Sequence, residues 1–207
     1  MVAIIDYDAG NIKSVEKAVT ALGKEVTVTR EADEVLSADH VILPGVGAFG
    51  DAMGRLRSYS LEAVIKQVVE RKTPFLGICL GLQLLFESSE ESEGVEGLGI
   101  LPGKIIRIPA DDDLKIPHIG WNSLSYPNKG RLFKGIPEHS YVYFVHSYYL
   151  KAQNEEIVTA TTDYGALVHA SVEKDNVFAC QFHPEKSSEV GMKILKNFLD
   201  IEDTNAY

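Results

Sequence analysis

Cysteine is scarce in this chain. Only Cys79 and Cys180 occur among 207 residues, far apart and without a C-x-x-C pair. That spacing supports neither a disulfide framework nor a zinc ribbon. Positive charge is also in deficit, with 20 Lys and Arg against 30 Asp and Glu and a formal net charge of −10. Nucleic acid is therefore not the expected partner, because phosphate binding needs a basic face. No apolar run approaches the roughly 20 residues that cross a bilayer. The opening "MVAIIDYDAGN" has no basic segment and no small-residue cleavage site, so it does not resemble a signal peptide. These absences predict a cytoplasmic setting with reduced thiols and no membrane partner. At 45% hydrophobic and 24% charged, the composition suits a globular protein with a sizeable core. The length suits one domain spanning 1–207.

The first half alternates between two patterns. "VAIIDYD", "KEVTVTR", "DHVILPG" and "TPFLGIC" are strand-like, and most are nearly all apolar. "IKSVEKAVTALG" places Ile12, Val15, Val19 and Leu22 at helical spacing and ends at Gly23, a C-cap signal. "SLEAVIKQVVERK" and "LGLQLLFESSEE" predict further helices, the former starting near Ser58 or Ser60. Alternation of this kind predicts an open, mostly parallel sheet with helices on both faces. The acidic "ESSEESEGVEGLG" is expected to be a solvated loop. Beyond it "KIIRIP", "YVYFVHSYYL", "EIVTATTDYG", "ALVHASVEK" and "NVFACQFH" predict antiparallel strands that extend the sheet, and "EVGMKILKNFLD" closes with a helix.

Cys79 falls where a buried strand turns into a helix, in Gly77-Ile78-Cys79-Leu80-Gly81. This is a G-x-nucleophile-x-G frame, in which flanking glycines relieve crowding at a tight strand-to-helix bend. A helix N-terminus beneath the thiol favours the thiolate, the nucleophilic form. The Leu80 N–H would be placed to hold a developing oxyanion. Alternatively, Cys79 packs as a small hydrophobe.

A nucleophile needs a base. Among six histidines, His183 stands out in "FACQFHPEKS", at the end of an apolar strand and followed by Pro184 and Glu185. An extended His-Pro-Glu would put His183 and Glu185 on one side. Glu185 could then hold one ring nitrogen while the other faces the thiol. The alternative is a strand-end histidine beside a surface glutamate. Cys180 is nearer in sequence, but strand alternation sets it with Phe178 and Phe182, in the core.

"PGVGAFGDAMG" contains Gly45-x-Gly47-x-x-Gly50 after a strand, which matches a dinucleotide fingerprint. It follows the third strand rather than the first, and the next strand ends without the acidic residue that would hold a ribose. A glycine loop facing the Cys79 turn is the better reading, and its N–H groups could complete an oxyanion hole with Leu80.

"PGVGAFG", "GICLGLQLLFE" and "FHPEKS" match, in order and type, the oxyanion loop, nucleophile turn and His-x-Glu of class I (triad-type) glutamine amidotransferases. The resemblance spans nearly the whole chain. It implies that Cys79, His183 and Glu185 are the catalytic triad and that the Val46-Gly47 peptide and Leu80 hold the oxyanion. It also implies that Gln83, His146, Ser147 and Tyr148 bind glutamine, with no cofactor and no metal. Two further stretches, "IIDYDAGNIKSVEKA" and "IPHIGWNSL", resemble the branch that passes ammonia to a (β/α)₈-barrel cyclase subunit in histidine biosynthesis. That resemblance implies a heterodimer with Asn11, Ser14, Trp121, Asn122, Tyr143 and Lys186 at its interface. "HIGWN" is expected to be a loop. One departure is Asp8-Ala9, where small or glycine-like residues are expected before Gly10-Asn11. Two other readings of the same residues are a cysteine hydrolase or peptidase, which leaves "IPHIGWN" and Gln83 unexplained, and a silent regulatory subunit, which an intact triad opposes.

Overall fold

Along the first strand, Val2 and Ile4 enter one apolar core and Ala3 and Ile5 the other. All four are fully covered, as expected of a parallel strand sandwiched between helices. The computed structural model describes residues 1–109 and 114–202. The single-domain expectation for 1–207 therefore includes positions 110–113 and 203–207, which lie outside the described residues.

The first half runs β1 (Val2–Ile5), α1 (Ile12–Ala21), β2 (Val26–Thr29), α2 (Ala32–Leu36), β3 (His40–Gly45), α3 (Phe49–Ser58), α4 (Leu61–Glu70), β4 (Phe75–Cys79) and α5 (Leu80–Leu84). The second half contains β5 (Ser88–Ser89), β6 (Gly103–Arg107), β7 (His118–Ser123), β8 (Tyr141–His146), β9 (Tyr148–Ala152), β10 (Val158–Asp163), β11 (Leu167–Lys174), β12 (Val177–Cys180) and α6 (Ser188–Leu199). The main sheet has the order β2-β1-β3-β4-β12-β11-β9-β6-β5, with β10 on β11. Its β2-to-β12 portion is parallel. Antiparallel strands β11, β9 and β6 extend it. The open α/β sheet with an antiparallel extension thus takes the predicted form. A separate antiparallel pair, β7 and β8, packs beside it.

Local chemistry explains several boundaries. α1 ends with Gly23 at φ +79°, its N–H bonded to Thr20 O at 2.9 Å, a left-handed cap that glycine adopts without a Cβ penalty. α4 begins after Ser60, as expected. Other expectations need correction. "PGVGAFGDAMG" is not loop throughout, because α3 starts at Phe49. Ala48 provides no side-chain cap for α3; instead Glu91 Oε2 accepts from Phe49 N at 2.8 Å and Ser92 Oγ from Gly50 N at 2.9 Å. The acidic stretch is therefore a remote helix cap, not merely a solvated loop. α5 is shorter than the sequence pattern suggested. The carbonyls of Leu84 and Leu85 accept from Leu98, Ile100 and Leu101, so tertiary bonds replace the next helical turn.

"YVYFVHSYYL" is not one strand. The chain leaves the β7–β8 pair at His146 and enters the main sheet at Tyr148. "HIGWN" is strand β7, not a loop, because each of its residues pairs with β8. This pairing gives the hairpin two faces. His118, Gly120 and Asn122 point inward opposite His146, Phe144 and Val142, whereas Ile119 and Trp121 point outward with Val145, Tyr143 and Tyr141.

Candidate active site

β4 delivers Cys79 to the C-terminal end of the central parallel strands, next to Gly45 of β3. Functional groups gather at this end of α/β sheets. The bend there is sharp, with Cys79 at φ 56° and ψ −109°, a conformation rarely adopted by a residue with a Cβ. The flanking glycines are required for packing. A Cβ on Gly81 would lie 1.9 Å from Leu43 O, and one on Gly77 would lie 2.6 Å from Gly81 O. α5 lies directly against the backbone of β3, and the turn fits only because both positions lack a Cβ. Cys79 is 7% exposed.

His183 and Glu185 do not meet through an extended strand. β12 ends at Cys180, and Pro184–Lys186 form a 3-10 turn. That turn brings Glu185 Oε1 to 2.8 Å from His183 Nδ1, both side chains being essentially covered. Tyr143 O accepts from His183 N, and Ser187 Oγ donates to His183 O while accepting from Tyr143 N. Asn11 Nδ2 donates to Glu185 Oε1 at 3.3 Å. Among the described residues, His183 Nε2 and Glu185 Oε2 are buried without a hydrogen-bond partner. An unpaired buried ring nitrogen beside a cavity is available to exchange a proton.

Cys79 and His183 line one cavity of about 290 Å³ with Val46, Gly47, Leu80, Gln83, Glu91, Pro117, Val145, His146, Ser147 and Tyr148. Every catalytic, oxyanion and glutamine-binding candidate except Glu185 borders it, and Glu185 reaches it through His183. Gly47 has φ +100°, a conformation favouring glycine. Leu80 opens α5, where a first-turn N–H has no intrahelical acceptor. Cys180 is fully buried in the core with Phe178 and Phe182.

Sequence reasoning missed two cavity-side groups. Gln181 Nε2 lies 3.7 Å from Cys79 Sγ, and Gln181 Oε1 accepts from Gln83 Nε2 at 3.0 Å. A glutamine inside the apolar "FACQFH", two residues before His183, was the available signal. Glu91 lies in the acidic stretch and carried no local signal. Gln83 Nε2 also donates to Tyr148 O at 3.0 Å, so its Oε1 is the group it can offer a ligand.

Two of the interface candidates touch the His183–Glu185 pair, Tyr143 through its main-chain carbonyl and Asn11 through its amide. Trp121 is 52% exposed and its ring stands 6.1 Å from that of Tyr143, while Lys186 Nζ lies 5.9 Å from the centroid of the same Tyr143 ring. Asn11 precedes α1, and Ser14 lies in its first turn. The Asn122 amide is instead turned inward, onto Asp163 O at 2.9 Å. Asp8 has φ 60°, the left-handed conformation that explains the expectation of a glycine-like residue there. Its carboxylate is held by Arg30 and Tyr59.

Burial disfavours a charged His183, but the neighbouring Cys79 and Glu185 outweigh it and push the pKa up to about 9. The ordinary histidine value is about 6.5. Stability from the charged ring is therefore fully present below about pH 6.5 and is lost as pH rises through about 9. NMR titration of the ring is expected to give a midpoint near 9, and Cys79→Ala to lower it. An ordinary midpoint in the wild type would contradict this electrostatic picture.

Residues 3–201 match the sequence profile of the family described as glutamine amidotransferase class-I. The chain belongs to that family. It is 53% identical over 197 residues to imidazole glycerol phosphate synthase subunit HisH of Moorella thermoacetica, covering 95% of this chain and 93% of the relative. The HisH subunit of Methanocaldococcus jannaschii is 48% identical over 201 residues, covering 97% and 100%. A solved glutamine amidotransferase superposes with a TM-score of 0.75 at 20% identity, covering 96% of this chain and 97% of that one. The PurLQS structure from Thermotoga maritima gives 0.72 at 21%, covering 96% of each. At these identities the structures establish the fold. Among the described residues, no helix is long and apolar enough to cross a membrane.

Proposed function

We propose that the chain, acting as one domain over 1–207, is the glutaminase subunit of imidazole glycerol phosphate synthase. The observation that carries this reading is the convergence of Cys79, His183 and the Val46-Gly47-Leu80 backbone on one cavity, with Glu185 behind His183. The Cys79 thiolate attacks the side-chain carbonyl carbon of glutamine. The carbonyl oxygen gains charge and is held by the Leu80 N–H and the Val46-Gly47 peptide. Protonated His183 gives its proton to the amide nitrogen, the C–N bond breaks and ammonia leaves a glutamyl thioester. Water then enters, His183 takes its proton, and the C–S bond breaks to release glutamate and restore the thiolate. Glu185 orients His183 throughout, and no cofactor takes part. At the amino-acid end of glutamine, Glu91 offers the negative charge that an α-ammonium group needs, and Gln83 Oε1 a further acceptor.

Ammonia set free in water would be lost, so the site requires a recipient. The outward face of β7–β8 supports one. Ile119, Trp121 and Tyr141 are all more than half exposed, and Val145 on the same face also borders the cavity. An exposed aromatic cluster rimmed by polar groups is suited to protein contact. A cyclase subunit with a (β/α)₈-barrel fold docks there, over Asn11, Ser14, Trp121, Tyr143 and Lys186. It uses the ammonia with a phosphoribulosyl-formimino nucleotide to form imidazole glycerol phosphate and aminoimidazole carboxamide ribotide. Trp121→Ala is expected to weaken the complex by about tenfold to a hundredfold, the scale of a buried aromatic anchor. Calorimetric titration with the cyclase checks this, and an unchanged Kd would remove Trp121 from the interface. The function is tested by measuring glutamate release alone and with the cyclase and its nucleotide. Stimulation by the pair supports it, and no glutamate under either condition refutes it.

A further inference from the structure

His118 and His146 are not triad members, yet they form a buried pair beside the cavity. His118 Nδ1 lies 3.1 Å from His146 Nε2, and His146 Nδ1 lies 2.9 Å from Tyr148 O. Phe144 and Tyr164 stack on His118, with centroids at 4.7 Å and 3.7 Å and planes within 17° and 14°. The pairing follows from the inward register of β7 and β8, which sets His118 directly opposite His146.

The protons in this chain of bonds have one consistent order. Asn122 Oδ1 accepts from Ser123 N at 2.8 Å, and Asn122 Nδ2 donates to Asp163 O at 2.9 Å. The Asn122 amide is thereby fixed with its NH₂ toward His118 Nε2, at 3.5 Å. A donor cannot usefully face a second donor, so His118 Nε2 is an acceptor and its proton sits on Nδ1. His118 Nδ1 then donates to His146 Nε2. His146 carries its own proton on Nδ1 and donates it to Tyr148 O. Both rings are neutral in this arrangement.

Tyr148 O receives a second donor, Gln83 Nε2, at 3.0 Å. Gln83 Nε2 also donates to Gln181, whose Nε2 lies 3.7 Å from the Cys79 sulfur. The network therefore runs from the hairpin that carries Trp121 to the nucleophile. It fixes the segment where the chain crosses between sheets, Ser147–Tyr148, on the wall of the cavity. Ser147 O is pinned separately by Ile108 N at 3.0 Å.

We propose that His118 is a positioning residue for glutamine binding: its Nδ1 proton orders His146, which holds the Ser147–Tyr148 main chain in the shape that receives the amino-acid end of the substrate. This inference rests on the glutaminase reading. It assigns His118 and the side chain of His146 a role in substrate affinity rather than in proton transfer to the leaving group. Burial lowers the pKa of both rings to about 4, in keeping with the neutral pair.

Two variants separate the hydrogen bond from the packing. His118→Phe keeps a flat ring between Phe144 and Tyr164 but leaves His146 Nε2 without its donor. His118→Asn gives up the ring but can present an amide N–H near the Nδ1 position. In the complex with the cyclase, His118→Phe is expected to raise the KM for glutamine about tenfold, the scale of one buried acceptor left unpaired, with little change in kcat. His118→Asn is expected to recover most of that loss. Histidine ¹⁵N NMR of the wild-type chain at neutral pH is expected to show both rings neutral with Nδ1–H tautomers. A charged ring or an Nε2–H tautomer overturns the proposal even if the Phe variant fails to fold. So does a folded His118→Phe enzyme with the wild-type KM, or one whose loss falls on kcat alone. If wild-type enzyme released no glutamate, the glutaminase reading itself would fail, a result separate from these.

Discussion

Cys79→Ala is expected to lower glutamate release by more than about a thousandfold, with or without the cyclase, as removal of a covalent nucleophile does. No other described group stands ready to replace it. Cys180 is sealed in the core, where burial pushes its thiol pKa up, so it is poorly suited to form a thiolate. The side-chain loss is small, and alanine can occupy the same bend, so circular dichroism and thermal unfolding should remain close to wild type. A folded variant without activity, and without the covalent glutamyl adduct seen by mass spectrometry in the parent, is the expected pair of results. Retained glutamine-dependent activity would remove the thioester mechanism.

Gly81→Ala is expected to be the most damaging change of one methyl group. The new Cβ would lie 1.9 Å from Leu43 O. Leu43 belongs to β3, which is bonded to β1 on one side and β4 on the other. The carbonyl cannot withdraw without disturbing the centre of the sheet, and α5 cannot rise without displacing Cys79. A loss of about 3 kcal/mol or more is expected, since overpacking against fixed backbone lies at the severe end of such effects. In a protein of this size that lowers Tm by roughly 10 °C. Gly54→Ala provides the contrast. Gly54 is an exposed position in α3 with open space around its missing Cβ. That change is expected to stabilise by about 0.5–1 kcal/mol, because alanine is the better helix former. Equal effects at the two sites would show that packing at the nucleophile turn is looser than described.

The contrast also explains which features were legible in the sequence. Val2–Ile5, His40–Gly45 and Phe75–Cys79 are covered on both faces, so their apolar runs announced parallel strands directly. The frame Gly77-Ile78-Cys79-Leu80-Gly81 announced the turn because both glycines are dictated by close backbone contacts. α3 was hidden by Gly50 and Gly54, which weaken helix propensity, and its cap comes from Glu91 and Ser92 some forty residues away in sequence. The end of α5 was hidden for a similar reason, because Leu98, Ile100 and Leu101 take the carbonyls that would extend it. Trp121 is an outward residue of a strand rather than of a loop, because its partner Tyr143 lies some twenty residues on and nothing in "HIGWN" itself announces the pairing. His183 and Glu185 were paired correctly although a 3-10 turn, not an extended segment, joins them. Gln181, Glu91 and the His118–His146 pair depend on contacts between distant segments, which spacing alone does not reveal.

The fate of the amide nitrogen distinguishes transfer of ammonia to the cyclase from simple hydrolysis. The chain would be mixed with the cyclase subunit, its nucleotide substrate, glutamine labelled with ¹⁵N in the side-chain amide, and an excess of unlabelled ammonium. One ¹⁵N is expected in each imidazole glycerol phosphate formed, in step with glutamate release, with both signals lost in Cys79→Ala. Glutamate release with unlabelled product, or labelled product formed by the Cys79→Ala protein, would contradict a Cys79-dependent transfer.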